Sequence, residues 1–197
     1  MPPPRTLVLA STSPYRRELL ARLGLPFEWC DPDADESPRG GESAAQTAER
    51  LAVAKATGVA SRFPKSLIIG ADQVAFCGLE RLDKPLSHEA ARRQLELVSG
   101  KLATFETAVA LCDAQTGHVR ARVVSTQVQF RPLGAALIEA YLLREKPYDC
   151  AGSAKVEGLG IALLARVESD DPTALIGLPL IALTEMLAAA GQPVLAS

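Results

Sequence analysis

The sequence predicts an α/β protein, a mixed β-sheet flanked by helices, forming a single domain over residues 1–197. Short unbroken apolar runs, Leu7–Ala10 and Leu67–Ile69, suit strands buried on both faces. Helix signals alternate with those runs along the chain, as in proteins that cover a sheet with helices. Residues 102–112 and 118–130, the second of them alternating, read as a β-hairpin across Asp113–Gly117, so the sheet is not purely parallel.

After the first strand, Ser11-Thr12-Ser13-Pro14 is a helix start, with Ser13 as N-cap and Pro14 at the first helical position. Leu19, Leu20 and Leu23 form that helix's apolar face and Gly24 closes it. Leu25–Cys30 is a plausible strand, and the acid-, Pro- and Gly-rich segment 31–41 is a loop. A second helix is expected over about Ser43–Ser61. Ala44, Ala48, Leu51, Ala52, Ala56 and Val59 lie on one stripe, and Lys55 falls on it too. The run Leu67–Ile69 ends in Gly70-Ala71-Asp72-Gln73. Ser87 caps a helix to Val98, and further helices are expected over Gly134–Glu145 and Leu178–Ala190. A loop spans Tyr148–Lys155 and a strand is expected over Gly160–Val167. In the hairpin's second arm the alternation changes phase between Val123 and Val124, which suggests a bulge.

Composition narrows the function. The chain is 48% hydrophobic and carries a formal charge of -2. A protein that grips the backbone of a nucleic acid carries a basic excess, and none is present, so small phosphorylated ligands fit better than polymers. Cys30, Cys77, Cys112 and Cys150 are scattered without metal-site or disulfide spacing and read as plain thiols in a reducing compartment. The start Met1–Arg5 precedes an apolar run too short for a signal or membrane segment, so the expectation is a cytoplasmic protein without a membrane association.

A strand, a turn of small hydroxyl residues and a helix N-terminus form an anion site, because backbone N–H groups and the helix dipole face the ligand. Ser11 adds a hydroxyl there. Arg16 and Arg17, in the first helical turn, are unfavourable at that positive end until a phosphate joins them. Asp72 follows an apolar strand, where open α/β sheets place ligands. Lys55 is odd on an apolar stripe: its stem snorkels to water, or its ammonium reaches a phosphate in a cleft. On the second reading a methionine at 55 is expected to fold at least as stably. Glu36, in a loop with Asp33 and Asp35, suits a hard cation, and Lys84 precedes Pro85. Each feature has a plain counterpart: a solvated arginine, a turn aspartate or an acidic surface loop. Together they supply a phosphate cradle, cations, a base and carboxylates for a divalent ion, the parts phosphoryl transfer needs.

The ordered segments LASTSPYRRELL (9–20), DESP (35–38), AVAK (52–55), IGADQV (69–74), Lys84-Pro85, LVSG (97–100), CAGSAKVEGLG (150–160) and LIGLPL (175–180) resemble the Maf family across nearly the whole chain. The resemblance implies a cytoplasmic nucleoside triphosphate pyrophosphatase, usually a homodimer, in a fold similar to the inosine triphosphatase (Maf/Ham1) group. It also implies dependence on a divalent metal cation, Mg²⁺ or else Mn²⁺ or Co²⁺. By the same resemblance Asp72 is the proton acceptor, Ser11, Arg16, Lys55 and Lys84 bind phosphate, and Glu36 with Asp72 holds the metal. One branch of the family, which prefers dTTP and UTP, has arginine, threonine and glutamine where this chain has Tyr15, Gln73 and Glu157. The pattern is similar to the other branch, which prefers 7-methyl-GTP, although that branch has a familiar tryptophan at the Tyr15 position.

The residue chemistry agrees with that branch. Methylated guanine is positively charged and attracted to an aromatic face such as Tyr15. Its Watson–Crick edge offers adjacent N–H donors that the Glu157 carboxylate accepts together, whereas a pyrimidine offers at most one. The alternatives are a dTTP/UTP or broad-specificity pyrophosphatase, and a non-catalytic regulator of septum formation or cell division, which needs neither Asp72 nor Lys84.

Overall fold

The structure is a computed structural model and describes residues 5–37 and 39–195. The expectations at 1–4 and at Pro38 therefore lie outside the described residues. The strands β1 (Leu7–Ala10), β2 (Phe27–Cys30), β3 (Leu67–Cys77), β4 (Glu80–Arg81), β5 (Leu102–Asp113), β6 (Val119–Phe130) and β7 (Leu164–Ser169) follow the order β2-β1-β3-β5-β6-β7, with β4 beside β3. The chain divides into two compact units. One comprises Met1–Gln73, Thr107–Val124 and Asp171–Ser197, and the other Val74–Glu106 and Ser125–Asp170.

In the first unit, β1 (Leu7–Ala10) is buried along its length and runs parallel to β2 (Phe27–Cys30) on one side and β3 (Leu67–Cys77) on the other. Leu7 lies opposite Leu67, and Ala10 opposite Gly70. Strand side chains alternate between faces. One face of β1 and β3 presents Leu7, Leu9, Leu67 and Ile69 to a core built with Leu19 and Leu20 of α1 (Pro14–Ala21) and Leu183 and Leu187 of α5 (Leu180–Ala189). The opposite face presents Gly70 to α2 (Ala44–Gly58). The expected caps are in place. The Ser13 hydroxyl accepts the Arg16 N–H, and Ser43 forms a capping box with Gln46.

Gly70 sets the distance between sheet and helix. A Cβ there would lie 2.1 Å from the Ala52 carbonyl oxygen and 2.7 Å from the Ala56 nitrogen, both in the α2 backbone. Gly70→Ala must push the helix off the sheet rather than turn a flexible side chain. We expect it to cost about 3 kcal/mol, lowering the melting temperature by roughly 10 °C in a thermal denaturation experiment. An unchanged melting temperature would show that the helix yields freely.

In the second unit, β4 (Glu80–Arg81) pairs antiparallel with the end of β3. α3 (His88–Val98) is capped by Ser87, whose hydroxyl accepts the Ala90 N–H. α4 (Ala135–Glu145) follows, then 3-10 turns at Ala151–Ser153 and Leu159–Leu163, and β7 (Leu164–Ser169), antiparallel to the end of β6 (Val119–Phe130). β5 (Leu102–Asp113) and β6 each pass from one unit into the other, at Glu106–Thr107 and Val124–Ser125. The burial alternation of β6 changes phase at Val123 and Val124; the register irregularity against β7 lies further on, between Gln129 and Phe130.

Two expectations need correction. β3 does not stop at Gly70 but continues to Cys77, so Asp72 lies within a strand. The Gly-Ala-Asp sequence resembles a strand end, yet the glycine serves helix packing and Val74–Cys77 continues the pattern. It is the neighbouring β1 that ends, at Ala10 opposite Gly70. The expected strand over Gly160–Val167 begins only at Leu164. Before it, the Gly158 and Gly160 N–H groups both bond to the Lys155 carbonyl and coil the chain.

Candidate active site

Asp72 follows Gly70 by one alternation of the strand, so it shares the face that β3 presents to α2. Lys55 lies between Ala52 and Ala56, the two residues whose backbone Gly70 meets. The close approach of helix and sheet thus brings the Lys55 ammonium 2.6 Å from Asp72 Oδ1. The same nitrogen lies 2.6 Å from Glu36 Oε1. Lys55 is only 5% exposed and Asp72 8%, so this pair is screened far less than a surface one.

Glu36 reaches that point from the chain between β2 and α2. The Asp35 carboxylate accepts the Ser37 N–H, and its bonds to Ser37 hold its pKa below the usual carboxylate range. Arg50 of α2 forms a two-point bridge to Glu42, at 2.7 and 2.8 Å, and its guanidinium also donates to the Ser37 carbonyl at 3.3 Å. The helix that carries Lys55 therefore also anchors the segment that carries Glu36.

The anion turn forms as expected. Ser11 is buried at the end of β1, and its hydroxyl accepts the Ser13 N–H at 3.2 Å. Arg16 is half-buried, and its Nε donates to the Gly177 carbonyl at 2.8 Å. Burial lowers its pKa, and the Asp72 and Glu36 carboxylates oppose that shift. Arg16, Asp72 and Glu36 thus share one electrostatic neighbourhood. Arg17 differs: its guanidinium stacks over the Trp29 ring at 4.2 Å. Tyr15 sits half-buried in the first turn of α1.

Gln73 points to the other side of β3. Its amide nitrogen donates towards Thr107 Oγ1 at 2.9 Å and the Ala174 and Leu175 carbonyls at 3.1 Å. It ties β3 to the 3-10 turn at Ala174–Ile176, and so supports the Gly177 carbonyl that holds Arg16. The other two predicted residues, Lys84 and Glu157, belong to the second unit and are exposed there.

The donor set fits a hard divalent ion. Glu36 and Asp72 offer carboxylate oxygens that already converge on one cation, and Mg²⁺ is commonly held by one or two carboxylates with waters and substrate phosphates. Among the described residues, no group of three or more His, Cys, Asp or Glu side chains stands ready to hold a metal by itself.

Comparison with known families matches residues 6–190 to the one described as Maf-like protein. The chain belongs to the Maf family. A 7-methyl-GTP pyrophosphatase of Thiobacillus denitrificans is 58% identical over 190 residues, covering 96% of this chain and 94% of the relative. One of Cupriavidus pinatubonensis is 57% identical over 196 residues, covering 100% and 98%. The solved Ham1 protein of Staphylococcus aureus overlaps with a TM-score of 0.46 at 14% identity, over 65% of this chain and 73% of its own. That overlap is too slight to carry weight, and the fold rests on the strand order above.

This Maf chain also uses residues that sequence reading passed over. Asp171 is 2% exposed and accepts the Ile181 N–H at 2.7 Å and the Thr173 hydroxyl at 2.7 Å, fixing the start of α5. In the second unit, Tyr141 and Glu145 of α4 hold the loop that bears Glu157. The Tyr141 hydroxyl donates to the Ser153 carbonyl and accepts the Lys155 N–H, and burial pushes the phenol's pKa up. The Glu145 carboxylate accepts the Leu159 N–H at 2.7 Å and pairs with Lys155 at 3.3 Å. No local pattern marks these residues, because each acts on a segment distant in sequence. None of the four cysteines forms a disulfide; Cys30, Cys77 and Cys112 are buried and Cys150 is half-buried. No described helix is long and apolar enough to cross a membrane.

Proposed function

We propose that this Maf protein hydrolyses 7-methyl-GTP to 7-methyl-GMP and pyrophosphate. The convergence of Lys55, Asp72 and Glu36 beside the α1 turn carries the chemistry, and the full-length relatives named for that substrate support its identity. Water attacks the α-phosphorus, forming a P–O bond as the α–β anhydride bond breaks, and pyrophosphate leaves. Asp72 accepts the proton of the attacking water. Ser11, Arg16, Lys55 and Lys84 hold the phosphates and offset their charge. A divalent ion held by Glu36 and Asp72, Mg²⁺ or else Mn²⁺ or Co²⁺, would supply further neutralisation of the phosphates. Tyr15, Gln73 and Glu157 select the base, Gln73 through the turn it holds behind Arg16. The matched segment 6–190 runs through both units, which supports reading 1–197 as one functional domain. The family resemblance supports a cytoplasmic homodimer, and the lack of a basic excess and the short apolar runs support a reading without nucleic-acid or membrane partners.

The deciding experiment measures pyrophosphate and orthophosphate release from 7-methyl-GTP, GTP, UTP and dTTP, with and without Mg²⁺. Pyrophosphate release, fastest from 7-methyl-GTP and dependent on the ion, is expected. Release of orthophosphate from the γ position would mean a different bond is cut. Equal rates on all four nucleotides would remove the substrate assignment and leave the reaction type.

A further inference from the structure

Lys55 occupies the place a metal would need. Its ammonium lies 2.6 Å from both Glu36 Oε1 and Asp72 Oδ1, and the side chain is almost fully buried. An oxygen-liganded Mg²⁺ draws such carboxylates closer still, to roughly 2.0–2.1 Å, around the same point. Ammonium and divalent ion cannot occupy one point between the same oxygens. We infer that Lys55 is a built-in competitor of the divalent ion: its ammonium holds Glu36 and Asp72 together in the metal-free protein and must yield them when the ion binds. This rests on the proposed reading of Glu36 and Asp72 as metal ligands.

The arrangement has two consequences. Two carboxylates, one buried, repel each other when both are ionised, and Lys55, in direct contact with both and with Arg16 in the same neighbourhood, offsets that repulsion before an ion arrives. The earlier expectation for Lys55→Met therefore changes sign: without metal the variant is less stable than wild type. Second, an ion arriving alone displaces an ammonium and gives it nothing in return. One arriving with a polyphosphate offers the displaced Lys55 an anion. The same lysine then serves first as counter-ion to the carboxylates and later as a phosphate ligand. Wild type therefore binds a bare divalent ion weakly.

The test is Mn²⁺ binding without nucleotide, followed by electron paramagnetic resonance of the free ion, for wild type and Lys55→Met. Removing a unit positive charge next to both ligands should tighten Mn²⁺ binding by about tenfold or more. Metal should also raise the melting temperature of Lys55→Met more than that of wild type. Equal or weaker binding by Lys55→Met overturns the competition and leaves the metal ligands standing. No Mn²⁺ binding by either protein overturns the metal assignment and the competition with it. Should Lys55→Met fail to fold, the wild-type protein answers alone. Acylation of Lys55 by acetic anhydride, followed by peptide mass spectrometry, should be slow without metal and several-fold faster with saturating Mn²⁺. An unchanged or slower rate overturns the competition.

Discussion

Asp72→Asn is expected to lower turnover of 7-methyl-GTP by about a hundredfold or more, the scale on which a positioned general base acts. The structure explains why so small a change should act on chemistry rather than folding. Asparagine keeps the shape of the side chain, and its carbonyl oxygen can still accept from Lys55 where Asp72 Oδ1 does, at 2.6 Å. Glu36 remains as the charged partner of that ammonium. What disappears is the negative charge and the capacity to take a proton. The melting temperature should stay within a few degrees of wild type while kcat falls. A variant with near-normal kcat would remove Asp72 from the mechanism, and a collapsed melting temperature would assign it a structural role instead.

Glu157→Gln is expected to reduce kcat/KM for 7-methyl-GTP by roughly thirty- to a hundredfold, or about 2–3 kcal/mol, and to leave UTP unharmed or improved. A carboxylate accepts both adjacent donors of the guanine edge, whereas glutamine must turn an NH₂ towards one of them. Glu157 is exposed in this structure, so the full loss is realised only when the base covers it. The loop that carries it is well anchored. The Lys155 carbonyl accepts the Gly158 and Gly160 N–H groups, and the Glu145 carboxylate fills the space beside Gly158 so closely that a Cβ there would lie 2.7 Å from it. A fixed loop can discriminate between bases where a loose one would adapt. Tyr15→Ala should likewise hurt the methylated guanine more than GTP, since only the former carries ring charge. If Glu157→Gln moves all substrates in proportion, Glu157 plays no part in base choice, and the pyrophosphatase reading is untouched.

Much of the secondary structure was legible because its signals are local. Ser13, Ser43 and Ser87 each cap the helix that follows through a bond to a residue only three positions on. The stripe on α2 was readable from helical periodicity, including the misplaced Lys55. β3 was misjudged because glycine and aspartate, here at 70 and 72, are poor strand formers. Gly70 is tolerated because α2 leaves no room for a side chain, a fact of packing that propensity does not carry. The stretch at 160–163 failed for a similar reason: an apolar run suits strand or 3-10 turn alike until two N–H groups close on one carbonyl.

The sequence by itself determined the alternation of helices and strands, the anion turn at Ser11–Arg16, the membership of the Maf family and the identity of the polar residues available for chemistry. Those properties depend on residue type and near-neighbour spacing. Only the tertiary structure decided what these residues touch. Lys55 and Asp72 stand 17 positions apart, Gln73 and Ala174 101, and Arg16 and Gly177 161. Whether Lys55 snorkels to water or spans two carboxylates depends on how near α2 comes to β3, and Gly70 sets that distance. Periodicity locates a side chain on a face; the partner across that face is chosen by long-range packing, which no local pattern encodes.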